Sequence, residues 1–141
     1  MPCPLCQADE DVIYACGDFY VIDARDPDYP GYVRIVSARH VKEMTDLGEE
    51  EAASVLMALW TAEKAVRGVF SPDKVNLAEF GNMVPHLHWH VIPRFQDDAH
   101  FPNSIWGERL REPDPSSLEE RRALAKVYFR ALKDALAAQF G

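Results

Sequence analysis

Between Pro85 and Arg94 the chain reads Pro-His-Leu-His-Trp-His-Val-Ile-Pro-Arg, so that His86, His88 and His90 alternate strictly with Leu87, Trp89 and Val91. A period of two belongs to a β-strand with one face in a core, because successive side chains point to opposite faces. Leu87, Trp89 and Val91 are therefore predicted to face inward. The three histidines share the other face, with neighbours about 7 Å apart along the strand, close enough for adjacent rings to serve one phosphate or one metal ion. The whole chain holds five histidines, so three in five positions mark this strand as a site and not as an ordinary solvent-facing one.

The remaining elements follow from periodicity and turn chemistry. Val12–Cys16 and Phe19–Ile22, joined by Gly17-Asp18, predict a hairpin that ends at Asp23. Residues 25–31, rich in Pro, Gly and Asp, predict a loop, and Tyr32–Val36 a third strand. Thr45 or Asp46 is expected to cap a long helix whose first turn carries Glu49, Glu50 and Glu51 against the positive end of the dipole. Its apolar stripe runs through Ala52, Val55, Leu56, Leu59, Ala62, Val66 and Val69, and Ser71-Pro72 ends it. Val75–Phe80 predicts a fourth strand, Gly81-Asn82 a turn, and the histidine strand is the fifth. After an irregular segment at 96–114, a last helix over about 115–139 is expected to start with Pro115 at its first position and a Ser116-x-x-Glu119 capping box. Turns this short join antiparallel neighbours, so the fold class is α+β: an antiparallel sheet of about five strands with helices on one side.

The bulk numbers restrict function. At 141 residues the chain fits a single domain, 1–141. A net charge of −8 without a basic run longer than Arg121-Arg122 argues against a nucleic-acid partner, while a local imidazole cluster can still hold a small anion. No apolar run approaches the roughly 20 residues that span a bilayer, and the start Met-Pro-Cys-Pro-Leu-Cys lacks the layout of a secretion signal, so a cytoplasmic chain without a membrane partner is expected. Three cysteines, an odd number, favour free thiols over a disulfide framework. Cys3-x-x-Cys6 has the spacing of half a structural zinc site. Cys16, Trp60 and Trp89 read as core residues, and Arg94 as a surface residue.

His86-Leu87-His88-Trp89-His90-Val91-Ile92 resembles the signature of the histidine triad superfamily. Pro30-Gly31 before a strand, Ala38-Arg39-His40-Val41 before a helix and Gly81-Asn82 before the triplet resemble family landmarks in the same order, and together the resemblance covers roughly residues 3 to 107. It implies a HIT-like fold, a homodimer, and nucleotide hydrolase or nucleotidyl transferase activity at an α-phosphate. The implied catalytic residues are His88, as nucleophile, and His90, which binds phosphate oxygens and assists the leaving group. The implied substrate-binding residues are Asp23, for the ribose hydroxyls, together with Asn82 and His90. A structural zinc ion held by Cys3, Cys6, His40 and His86 is implied by relatives and by the galactose-phosphate uridylyltransferases, and no organic cofactor is implied. Tyr32 departs from the pattern, since many relatives carry a fourth histidine there. Trp106 and His100 could cover the site, and neither is placed among the site residues. Dinucleoside polyphosphates, nucleoside phosphoramidates and nucleotide sugars all fit, and the base is open, with purine the family expectation.

Two other readings stay open. His86, His88 and His90 could bind one catalytic metal ion, although no carboxylate follows closely to complete its shell. The same pocket could also belong to a purine nucleotide-binding module with little turnover.

Overall fold

The computed structural model describes residues 3–6 and 11–141; Met1 and Pro2, part of the stretch read for a secretion signal, lie outside them. Five strands form one sheet: β1 Val12–Ala15, β2 Phe19–Asp23, β3 Val33–Ser37, β4 Lys74–Ala78 and β5 His88–Arg94. The spatial order is β1-β2-β3-β5-β4, and every neighbouring pair is antiparallel. Two helices, α1 Glu49–Phe70 and α2 Pro115–Phe140, complete the architecture. Among the described residues no helix is long and apolar enough to cross a membrane.

Both helices cover the same face of the sheet. Phe19, Val21, Val33, Ile35, Leu87 and Val91 point there and pack against Val55, Leu59, Ala62 and Val66 of α1 and Tyr128, Leu132 and Leu136 of α2. Each Val, Leu, Ile or Phe among them stabilises the fold by roughly 1.5–3 kcal/mol when fully buried. Among the described residues the opposite face carries two small apolar clusters, Leu5 with Ile22 and Val36, and Tyr29 with Tyr32 and Ile92. That face is where the histidines lie.

Several local expectations are corrected. The α1 N-cap is Gly48, not Thr45 or Asp46, which belong to a separate 3-10 turn at Met44–Asp46. Glycine has no side chain to cap with, so Glu51 reaches back to the Gly48 N–H (3.0 Å) and is itself held by Arg39. The Ser116-x-x-Glu119 box does not form, because Pro115 at the first helical position makes Asp114 the N-cap; the Ser116 and Ser117 hydroxyls donate to the Asp114 carboxylate instead. Trp60 is 70% exposed and not core, being outside the α1 stripe, whereas Trp89 and Cys16 are half-buried against the core. The fourth strand is shorter than its apolar run, ending at Ala78.

Two close approaches fix loops against the rest of the fold. Gly31 has φ +89°, and a Cβ there would stand 2.6 Å from the Phe70 ring at the end of α1. Arg94, read from sequence as a surface residue, is only 2% exposed. Its guanidinium is paired with Asp98 (2.7 and 3.0 Å) and donates to Asn76 Oδ1 and the Asn103 carbonyl, because β5 ends beneath the irregular segment and not at the surface.

Candidate active site

His88 and His90 lie on β5, whereas His86, expected on the same strand, stands just before it, and each ring's hydrogen follows from its partner. His88 Nδ1 lies 2.6 Å from the His86 carbonyl oxygen. A carbonyl only accepts, so Nδ1 carries the hydrogen and Nε2 keeps its lone pair. His90 Nδ1 lies 2.5 Å from the Tyr32 hydroxyl. His86 Nε2 lies 2.8 Å from the Ser37 carbonyl, so the hydrogen sits on Nε2 and the lone pair on Nδ1.

His88 and His90 stand together, ring centroids 5.0 Å apart, each less than a tenth exposed. They form the floor of a cavity of about 320 Å³ whose walls include Phe80, Asn82, Met83 and Trp106. Trp106 lies 4.8 Å from the His90 ring and 5.0 Å from Phe80, so the site has an aromatic wall. The sequence offered no pattern that assigns Trp106 here; the Arg94–Asp98 pair anchors the segment that carries it. His100 instead contacts the Tyr29 hydroxyl (2.6 Å). Burial, followed by the charges of His88 and Arg34, pushes the His90 pKa down to about 4, so the ring is neutral near pH 7.

Asn82 lines the cavity, beside Gly81 at φ +67°. Asp23 does not. Along β2 it shares parity with Phe19 and Val21 and pairs in register with Val33, so it faces the helices, on the side of the sheet away from His88 and His90. There its carboxylate accepts the Arg25 N–H (2.9 Å) and borders a separate cavity with Arg122, Lys126 and Phe129 of α2. Glu79, one acidic residue among 23 and without a sequence signal, has Oε1 buried with no partner among the described residues. Burial raises its pKa, with the nearby His88 opposing the shift.

The second constellation assembles next to the first. Cys3 Sγ, Cys6 Sγ, His40 Nδ1 and His86 Nδ1 all lie within 4.8 Å of one another. The closest separations are 3.1 Å between the two histidine nitrogens, 3.2 Å from Cys6 to His40, and 3.4 and 3.5 Å from His86 to the two sulfurs. Donors 83 positions apart in the chain meet because Ser37 at the end of β3 holds the His86 ring, and the backbone of Leu87 pairs with Val41 just past His40. His86 thus points its lone pair at the thiols and not into the histidine cavity.

Comparisons with known proteins agree on this architecture. The family model for the HIT domain matches residues 6–97. A protein named AP-4-A phosphorylase from Mycobacterium tuberculosis (strain ATCC 25618 / H37Rv) is 30% identical over 126 residues, 84% of this chain and 60% of that protein. A bis(5'-adenosyl)-triphosphatase from Dictyostelium discoideum is 30% identical over 99 residues, 67% of this chain and 66% of that protein. The chain therefore spans under two thirds of the length of either relative. The crystal structure of a histidine triad protein from Marinobacter aquaeolei VT8 superposes with a TM-score of 0.72 at 29% identity, over 89% of this chain and 91% of that one.

Proposed function

The chain belongs to the HIT domain family, and on that premise we propose that it is a nucleotide hydrolase or nucleotidyl transferase working at an α-phosphate through a covalent adduct on His88. The observation that carries this reading is the bond from His88 Nδ1 to the His86 carbonyl, which leaves an Nε2 lone pair in the same cavity as His90. A neutral imidazole is a competent nucleophile toward phosphorus. In the first step His88 Nε2 bonds to phosphorus while the bond to the leaving group breaks and that group takes the electron pair. Water or another hydroxyl acceptor then attacks the adduct and loses its proton to solvent, the phosphorus–nitrogen bond breaks, and the nucleotidyl group leaves while His88 regains its lone pair. His90 holds the phosphate oxygens and assists the leaving group, and Asn82 adds a polar contact. The ribose role expected of Asp23 has no support in its placement. Both relatives are named for diadenosine compounds, which favours a dinucleoside polyphosphate as substrate, and the wall of Phe80 and Trp106 suits a nucleobase.

We also propose zinc at Cys3, Cys6, His40 and His86. A tetrahedral shell with Zn–N of about 2.0–2.1 Å and Zn–S of about 2.3 Å has edges of roughly 3.3–3.8 Å, and the four shortest separations in the cluster are 3.1, 3.2, 3.4 and 3.5 Å within an overall spread of 4.8 Å. The ion would pin the start of the chain to the strand that carries His88, and no reaction step passes through it. The same geometry disfavours one catalytic metal ion on all three histidines, since His86 Nδ1 faces the thiols and His88 Nδ1 is taken by a carbonyl. A homodimer is proposed through the exposed edge of β4, and the free thiols suit the cytoplasm.

The test is release of mononucleotide from a diadenosine polyphosphate and from adenosine phosphoramidate by wild type and His88→Ala. Turnover by wild type, loss of it in the variant and a trappable nucleotide on His88 are expected; full turnover by the variant rejects the mechanism. Binding of AMP with neither substrate cleaved would favour the binding module.

A further inference from the structure

We infer that Tyr32 is a positioning residue that holds His90 with its hydrogen on Nε2, so that His90 gives a hydrogen bond to the departing oxygen and keeps its proton. The leaving group must then depart as an anion, which makes the substrate a phosphoanhydride such as a dinucleoside polyphosphate and disfavours a phosphoramidate whose amine needs protonation. This rests on the role of His90 proposed above.

The Tyr32 hydroxyl binds the His90 ring. It meets His90 Nδ1 at 2.5 Å, and the Arg34 side chain, which can only donate, also bears on that oxygen. The Arg34 guanidinium lies 5.3 Å from the Tyr32 ring centroid. The phenolic hydrogen therefore has one acceptor within reach, the Nδ1 lone pair. Tyr32 is 2% exposed, and burial raises its pKa, with Arg34 opposing, so the hydroxyl is protonated at neutral pH. With Nδ1 accepting, the single hydrogen of a neutral imidazole is on Nε2.

The same neighbours disfavour the imidazolium form. Protonating Nδ1 would strip the phenolic hydrogen of its acceptor and place a positive charge beside Arg34, which faces His90 directly in the β3–β5 register. His90 is consequently built as a donor that does not part with its proton. His88 is its complement: there Nδ1 is tied to an acceptor, which frees Nε2 to attack. Two histidines on one strand are set to opposite tasks by one carbonyl and one phenol.

The test reads the tautomer directly, by nitrogen-15 NMR of the His90 ring in the full chain, alongside turnover of a diadenosine polyphosphate and adenosine phosphoramidate. Wild type should show His90 as the Nε2–H form and cleave the polyphosphate with at least roughly tenfold higher kcat/KM. Tyr32→Phe, which preserves the buried shape, should mix the tautomers and lower kcat on the polyphosphate roughly tenfold, less than the ~10²–10³ that loss of such a donor costs, with KM within about twofold. Tyr32→His should recover most of the loss through a ring N–H. An Nδ1–H tautomer in wild type, an unchanged tautomer or kcat in Tyr32→Phe, or a wild-type preference for the phosphoramidate would overturn the inference. If wild type cleaves neither substrate, the nucleotidyl reading fails by itself and the tautomer measurement alone decides the role of Tyr32.

Discussion

A histidine ring is an undecided group until its neighbours choose which nitrogen holds the hydrogen. Here a carbonyl chooses for His88, a second carbonyl for His86 and a phenol for His90, so identical side chains two residues apart become nucleophile, metal donor and hydrogen-bond donor candidates. The His90 environment also predicts acid sensitivity. Burial first, then His88 and Arg34, lower its pKa from 6.5 to about 4, so between those values the unfolded chain binds more protons than the folded one. The contribution of His90 to stability is full above pH 6.5 and is lost as pH falls toward 4. Denaturant titrations across that window should show the slope in wild type and a shallower one in His90→Asn; equal slopes would reject the assignment. Asp98 acts lower on the scale. Burial raises its pKa, but the Arg94 bonds and the backbone N–H groups of Phe95 and His100 outweigh that and bring it from 3.8 to about 2, so its contribution disappears only as pH falls through that lower range. Asp98→Asn leaves the Arg94 charge buried without its partner and should cost about 3–5 kcal/mol in chemical denaturation.

At the scale of elements, loops and helix ends place the site's walls. The β2–β3 loop turns at Gly31 against Phe70, so Gly31→Ala meets both an unfavourable φ and a ring at 2.6 Å. It should lower stability by more than about 1 kcal/mol in a thermal or denaturant melt, and a neutral result would mean that Phe70 moves aside freely. The segment at Cys3–Cys6 is joined to the sheet through Leu5, the Tyr20 hydroxyl bond to its carbonyl, and the contacts of Cys3 and Cys6 with His40 and His86. Protein purified without chelator should hold about one zinc per chain, and removal of the ion should expose Cys3 and Cys6 to thiol reagents while Cys16 stays slow to react. A content well below one per chain would remove the zinc assignment. The helix boundaries show where local patterns mislead. Glu49–Glu51 marked the start of α1 correctly, but Thr45 and Asp46 were plausible caps for a helix that had not yet begun; only the 3-10 turn before Gly48 distinguishes the cases.

For the whole molecule, the sheet has two edges, β1 and β4, and β4 adjoins the histidine strand. Leu77 on β4 shares the side of Val75 yet is exposed, which suits pairing with a second copy. Sedimentation at micromolar concentration should give the mass of two chains, and Leu77→Lys, which puts a charge on the edge strand, should shift the protein toward one chain. A monomer in wild type under the same conditions would reject the dimer. Diadenosine turnover measured with both forms would then tell whether the cavity depends on the partner.

The alternating triplet was enough to predict a strand through His88 and His90 with Trp89 and Val91 on its inward side, because side-chain parity along an extended backbone is a local property, but not that the strand begins at His88 and leaves His86 outside it. The hairpin, the α1 stripe and the all-antiparallel sheet follow from equally local periods and short turns. Parity relative to distant elements is another matter. Whether Asp23 faces the histidines or the helices depends on which strands pair and in what register, and only the β2–β3 ladder puts it opposite Val33. Arg94 as a buried anchor, Trp106 as a wall and Tyr32 as the partner of His90 likewise arise from contacts between segments far apart in the chain. Sequence records which chemical groups are present and how they repeat, whereas the tautomer of a ring and the neighbour of a charge are set by atoms that only folding brings within 3 Å.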